Sequence, residues 1–308
     1  MKKPSTIFGG FIFYMYLCRC MEKNVALVLS SGGARGLAHI GAIEEIEAQG
    51  YRISSIAGCS MGALIGGVYA AGKLPQFREW MKTVDKKKML ELTDFSFSLN
   101  HMVKGTRIIE AIMEFVPDVM IENLPIPYCA IATDWISGRE VVFREGSLFE
   151  AIRASISLPS FYEPVRRDGM ILIDGGVTNP IPMNRVERHE GDILVGVDVS
   201  GHDYKAQWDE QHLIAERRKQ SKSLSQQILN RLIPDNLEFN YYTMLSRVSS
   251  IMIRQNSLMM AQIAHPDILV DIQMSRYGGF DYDKSEKLIA IGRQKTRQAI
   301  DMAIINKV

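Results

Sequence analysis

The sequence predicts an α/β fold built on a doubly wound, mainly parallel central sheet, and three observations lead there. Two units of strand, glycine-rich turn and helix follow each other directly from residue 25. Apolar strand-like runs then recur between helix-like or turn-rich stretches, and from about residue 205 long helical patterns take over. Strands alternating with helices bury both faces of a sheet, which is the arrangement that parallel pairing requires.

The elements follow in order. VALVL from residue 25 is a continuous buried run, SSGGARG a turn, and LAHIGAIEEIEAQG an amphipathic helix ended by Gly50. Ile53 to Ala57 is a second short apolar strand, GCSMG a sharp turn, and ALIGGVYAAG a helix of small residues that can pack closely on a sheet. Further strands are expected at Tyr128 to Thr133, Glu140 to Phe143, Met170 to Ile173 and Ile193 to Val199. Beyond them come helical patterns at 208 to 233 and 236 to 264, a strand at Asp267 to Ile272 and a final helix from about Lys284 to Ile305. No repeat of fixed period and no low-complexity segment interrupts this order.

With 308 residues, 46% apolar and 23% charged, the chain can bury a deep core, and one large domain with a helical appendage is favoured. A net charge of +1 without a long basic run gives no reason to expect nucleic acid. Cys18, Cys20, Cys59 and Cys129 form neither a paired CxxC pattern nor a ligand spacing with histidine. Buried free thiols in a reducing, cytoplasmic setting fit them best, and no metal or cofactor is expected. Residues 7 to 17 are apolar and follow Lys2 and Lys3, but no small-residue cleavage site comes after them. As a helix they reach only about 17 Å, short of a hydrocarbon core of roughly 30 Å. Met21 stands directly before the first strand, so a start there is the favoured reading, with a membrane-associating leader second.

Three segments carry candidate chemistry. Gly58-Cys59-Ser60-Met61-Gly62 matches a nucleophile elbow, in which flanking glycines remove the Cβ atoms that would clash around a sharply turned serine. The same five residues read more blandly as a helix cap. Ser31-Gly32-Gly33-Ala34-Arg35-Gly36 joins a strand to a helix, so its N–H groups should converge on an anion or a developing oxyanion. It lacks the G-x-G-x-x-G order and the G-K-S/T ending of nucleotide sites. Asp174, followed by Gly175 and Gly176, closes a predicted strand; alone it is an ordinary turn aspartate.

Taken together, in this order, the glycine-rich loop, the elbow and the Asp-Gly-Gly resemble the patatin-like phospholipase family. The resemblance extends to Arg-Ala-Ser-Ile-Ser-Leu-Pro at 153 to 159 with Phe161 and Pro164, and to the final PDILVDI strand and helix, covering roughly residues 22 to 308. Ser31 stands where many members have the loop's first glycine. The resemblance implies a three-layer α/β/α patatin-like fold with a C-terminal helical region, divided as leader 1–21, catalytic core 22–200 and an extension 201–308 within the same fold. It implies Ser60 as nucleophile, Asp174 as base, and the N–H groups of Gly32, Gly33 and nearby Ala34 or Arg35 as the oxyanion hole, with Gly58 and Gly62 shaping the elbow. The implied substrate is a lipid ester, phospholipid foremost, with lysophospholipid, acylglycerol and thioester as further classes and peripheral membrane contact as a secondary expectation. Arg35 would either anchor a lipid phosphate or brace the loop.

Two rival readings stand beside this one. A Ser-Asp-His triad would draw on His189, His202, His212 or His265, but only one strand and one helix precede the strand that leads into Ser60, too few for an α/β-hydrolase. A catalytically silent lipid- or partner-binding adaptor would keep the same residues as a scaffold. Cys59 reads as a small buried residue and His39 as a core or loop-bracing one. Tyr241, Met244, Leu245, Val248, Ile251, Met252, Met259 and Ile263 recur at helical spacing, with core packing expected and an acyl-chain groove as the minor reading. Arg217, Arg218, Lys219 and Lys222 read as a solvated helix face, with attraction to a membrane surface second.

Overall fold

The computed structural model describes residues 23–92, 106–159, 161–201, 241–274, 277–279 and 281–305. The leader with Cys18 and Cys20, the helical pattern at 208 to 233 with its basic cluster, and His202 and His212 lie outside them. An eight-stranded mixed sheet forms the middle layer. Its parallel part runs β3 (Tyr128–Asp134), β2 (Tyr51–Cys59), β1 (Lys23–Leu29), β7 (Ile193–Gly201), β8 (Ile268–Gln273). On the other side β4 (Glu140–Phe143), β5 (Val165–Arg167) and β6 (Met170–Asp174) pair antiparallel.

Period-two alternation on β1 divides the core between the two faces of the sheet. Val25, Leu27 and Leu29 enter the larger core with Ile40, Ile43 and Ile46 of α1 (Ala38–Ala48) and Leu64 and Ile65 of α2 (Met61–Ala70). Leu288 and Ile289 of α8 (Ser285–Ile305) join them there. Ala26 and Val28 enter a smaller core, against which Met260, Ala261 and Ala264 of α7 (Tyr241–Ala264) pack. Helices on both faces make the three-layer α/β/α architecture that the sequence led us to expect. Helices α3 (Leu74–Lys82), α4 (Lys86–Leu92), α5 (Thr106–Met113) and α6 (Leu148–Ser155) fill stretches that the sequence marks only as helix-like or turn-rich. Strand β5 is an addition to the expected set.

The register around β3 brings the site together. A strand has two edges, and β4 pairs with Ala130 to Thr133 along one of them. β2 pairs with Tyr128 to Ile131 and β6 with Ala132 to Asp134, and β4 overlaps both. Those two strands therefore divide the opposite edge end to end, with Cys59 beside Ile131 and Asp174 beside Ala132. The residue that follows Cys59 must emerge next to Asp174.

The C-terminal segments belong to this same packed body. β8 extends the sheet beside β7, and α8 lies directly on α1. A Cβ on Gly41 would come within 1.9 Å of the Ile289 carbonyl oxygen, and one on Gly292 within 1.9 Å of that of Ala38. The two helices meet backbone to backbone at this reciprocal glycine contact, and Arg297 closes it with a 2.8 Å bond to the buried Glu45.

Helix α7 departs from its expectation. Met244, Val248, Ile251, Met252, Met259 and Ile263 are exposed, from 39% at Ile251 to 72% at Ile263, and so are not core. The helix turns its small and polar face inward instead: Ser257 is buried, and Arg254 bonds Asp198 at 2.8 Å and Asp271 at 2.6 Å. An apolar periodicity shows that a helix has an apolar face; it does not say which face meets the sheet.

Candidate active site

Ser60 occupies the one-residue step from β2 into α2, at φ 54° and ψ −120°. Positive φ is costly for a residue with a side chain and persists where the surroundings impose it. Here they do: a Cβ on Gly58 would lie 2.5 Å from the Gly62 carbonyl oxygen, and one on Gly62 would lie 2.3 Å from that of Leu29. The elbow is thus a three-way approach of backbones that only glycine permits on either side of the serine. Ser60 Oγ donates to Asp174 Oδ2 at 2.5 Å. Its backbone N–H donates to the Ser155 hydroxyl at 2.8 Å, which satisfies a donor at the helix start and holds the turn.

Asp174 is 5% exposed. Its Oδ1 accepts the Gly176 N–H at 2.7 Å, its own N–H donates to the Ser157 carbonyl at 2.9 Å, and its carbonyl accepts the Thr133 hydroxyl at 3.1 Å. Burial pushes its carboxyl from the ordinary 3.8 up to about 6, against the lowering effect of the Ser60 hydroxyl and the Gly176 N–H. Contact demands the first of the two following glycines and crowds the second. A Cβ on Gly175 would be 2.2 Å from the Ile131 carbonyl oxygen, and one on Gly176 would be 3.0 Å from the carboxylate itself.

The glycine-rich loop is pinned at several points. His39 Nε2–H donates to the Ser30 carbonyl at 2.9 Å, the Ser31 N–H donates to Pro180 at 2.8 Å, and Arg35 Nε donates to the Gly32 carbonyl at 3.1 Å. Arg35 therefore braces the loop. The N–H of Ala34, expected among the oxyanion donors, is taken by the Gly279 carbonyl at 2.8 Å. The N–H groups of Gly32 and Gly33 have no hydrogen-bond partner among the described residues. Gly33 holds φ 57°, and a Cβ there would lie 2.7 Å from the Gly279 oxygen.

His39 is fully buried, and burial lowers it from 6.5 to about 4, so it is a neutral brace. His189 and His265 are exposed, and among the described residues no imidazole bonds Ser60 or Asp174. Cys59, beside the nucleophile position, is buried and its thiol is pushed up by burial, so no thiolate competes with the serine. Among the described residues no cluster of His, Cys, Asp or Glu could hold a metal ion.

Sequence reasoning overlooked Ser155, Ser157, Thr133 and Gly279. The 153 to 159 stretch stands out in the sequence without any role for its serines. One of them, Ser155, holds the Ser60 N–H and the other, Ser157, through its carbonyl, the Asp174 N–H. Gly278-Gly279 is a readable turn signal, but its contact with the loop spans most of the chain.

The comparisons with known proteins give the family. The family model for patatin-like phospholipase matches residues 27–186, and the chain belongs to that family. It is 44% identical over 180 residues to an uncharacterized NTE family protein of Mycobacterium bovis, across 58% of this chain and 50% of that protein. It is 32% identical over 195 residues to the neuropathy target esterase sws of Drosophila melanogaster, across 61% of this chain and 14% of that one. The chain thus spans half or less of the length of these relatives. The crystal structure of VipD from Legionella pneumophila aligns over 92% of this chain and 67% of its own, at TM-score 0.48 and 13% identity.

Proposed function

We propose that this protein is a serine lipid acyl hydrolase working through a Ser60–Asp174 dyad. The observation that carries the reading is the 2.5 Å bond from the Ser60 hydroxyl to a buried carboxylate of raised basicity. Ionised Asp174 takes the hydroxyl proton as Ser60 Oγ attacks the ester carbonyl, and the Gly32 and Gly33 N–H groups receive the charge that gathers on the carbonyl oxygen. Protonated Asp174 then returns the proton to the departing alkoxide, leaving an acyl-serine. Water, deprotonated by the same carboxylate, releases the carboxylic acid and restores the serine.

Family membership and the esterase named among the relatives support a lipid ester as substrate, phospholipid first. Among the described residues no helix is long and apolar enough to cross a membrane, and in this reading the protein meets lipid by peripheral contact. The exposed apolar stripe of α7 is consistent with such peripheral contact.

The test is intact-mass labelling with a fluorophosphonate of the wild type, of Ser60→Ala and of a chain in which the five histidines other than His39 are replaced by glutamine. Labelling that requires Ser60 and survives in the folded histidine variant is expected. An unlabelled wild type would indicate a silent adaptor, and labelling lost with the histidines would indicate a triad.

A further inference from the structure

The turn between β3 and β4 displays two large apolar side chains to solvent: Trp135 and Ile136 are each 65% exposed. Its backbone is nevertheless held at every step. The carboxylate of Asp134, itself buried, accepts the N–H groups of Ile136 at 3.2 Å and Ser137 at 3.1 Å and the Ser137 hydroxyl at 2.6 Å, and it reaches across to the Ile171 N–H at 3.2 Å. The Trp135 N–H donates to the Ile171 carbonyl at 2.7 Å, that of Gly138 to the Asp134 carbonyl at 2.8 Å, and that of Arg139 to the Ser137 hydroxyl at 3.3 Å. Every backbone N–H from 135 to 139 is thus engaged within the turn or by β6, so the tip can leave water without orphaning a donor.

We propose that this turn is the anchor by which the protein docks on a phospholipid bilayer, with the N-terminal half of α7 as a second contact on the far side of the elbow. Why a bilayer should meet this edge of the sheet rests on the acyl hydrolase reading, since the substrate of that reaction lies in one. The position of the turn fits. Cys59 pairs with Ile131, which sets Ser60 level with Ala132, and Trp135 stands three residues farther along the strand, roughly 10 Å at about 3.3 Å per residue. The elbow ends β2 and the glycine-rich loop follows β1, so both open on the edge from which the turn projects. Leu158, which follows Ser157, and Val177, which follows Gly176, are exposed as well, so apolar surface continues to the dyad.

Helix α7 reaches the same edge from the other side. Arg254 meets Asp198, and Ser257 the Ser200 hydroxyl, near the end of β7, while Met260, Ala261 and Ala264 pack in the core that holds Leu194 near its start. The helix therefore runs antiparallel to β7, and the residues before Arg254, with Met244, Val248 and Met252 exposed, lie at or past the catalytic edge. The strand order β3-β2-β1-β7 sets Ser60 and the glycine-rich loop between these two apolar features. Charge favours the same partner. Arg139 is the one charged residue from 135 to 139, α7 carries no acid over its 24 residues, and on the neighbouring β5–β6 turn Asp168 is paired with Arg167 at 3.3 Å. An anionic lipid surface attracts such elements, and tryptophan settles at the level of the headgroups.

The experiment uses Ser60→Ala protein, so that no turnover is needed, and vesicles of equimolar phosphatidylcholine and phosphatidylglycerol. With Trp80→Phe and Trp208→Phe added, Trp135 is the only indole left. Its emission should shift to the blue on vesicles and be quenched by lipids brominated on their acyl chains. In the natural tryptophan background, Trp135→Ser combined with Ile136→Ser should weaken co-flotation with the vesicles at least tenfold. The melting temperature should stay unchanged, as it does for substitutions at exposed positions. No flotation of the parent, a Trp135 emission that vesicles leave unmoved, or undiminished flotation of the double variant overturns the proposal. So does self-association without lipid that the same two substitutions abolish, because the turn would then be an interface with a second copy. Fluorophosphonate labelling decides the hydrolase reading separately: should Ser60 fail to label, that reading falls, and the flotation comparison still decides whether this edge docks on lipid.

Discussion

As the proposed base, Asp174 has to be buried to be useful, and burying it has a thermodynamic consequence. Its folded value near 6 lies above the ordinary 3.8 expected in the unfolded chain, so the folded state holds that proton more tightly. The stabilising effect of protonation is complete below about pH 4 and is lost as pH rises through about 6. At neutral pH the ionised carboxylate therefore weakens the fold by up to about 3 kcal/mol. Asp174→Asn should abolish ester hydrolysis while raising the melting temperature at pH 7. That gain should shrink toward zero near pH 4, and a variant no more stable than wild type at pH 7 would refute the assigned burial cost. The activity limb has the matching sign: kcat/KM should rise with pH through about 6 as Asp174 ionises. His39 acts oppositely on stability, since its folded value near 4 lies below 6.5 and its contribution is lost as pH falls through that interval. Comparing Asp174→Asn with wild type cancels the histidine.

Among the elements, α6 does more than cover the sheet. Its last residue, the buried Ser155, accepts the Ser60 N–H, so Ser155→Ala leaves that half-buried donor without its partner at the position where the backbone is already at positive φ. A loss of about 1–3 kcal/mol in stability follows from the unsatisfied N–H. Hydrolysis should slow by roughly tenfold or more as the hydroxyl drifts from Asp174, since small misplacements at a reacting centre are costly. Activity equal to wild type would show that the elbow holds itself. Helices α1 and α8 offer a test of packing: Gly292→Ala should lower stability by about 1–3 kcal/mol, because the new methyl meets the backbone of Ala38 and neither helix can yield alone. On α7, Met252→Gln should stay within about 0.5 kcal/mol of wild type by chemical denaturation, as exposed positions do. A core position would lose several times more, so this one substitution distinguishes the exposed stripe from the buried one that periodicity suggests.

For the molecule as a whole, the decisive feature is the shared edge of β3, where β2 ends and β6 begins. Ser60 and Asp174 lie 114 positions apart in the chain and meet because two strands divide one edge between them. Residues from beyond the family-matched segment complete the arrangement, with Gly279 taking the Ala34 N–H and α8 backing the helix that follows the loop. Much of this was readable beforehand. The strand and helix order around the two glycine turns and the glycines beside Ser60 and Asp174 are local signals, because a tight turn at positive φ or a close backbone approach leaves glycine as the only residue that fits. Periodicity likewise marked the helices and most strands, because each must bury one face or both.

Partners remote in the chain were decided by tertiary structure alone. Sequence nominates Gly32, Gly33, Ala34 and Arg35 alike as donors, whereas Gly279 engages one N–H and Arg35 turns its side chain to bracing. Nothing in the stripe of α7 says that its polar face would turn inward to the Asp198 and Asp271 carboxylates. The reason is physical: backbone conformation is fixed by neighbours in the chain and leaves its mark on residue choice, while a hydrogen bond or a buried face depends on which distant segment arrives beside it.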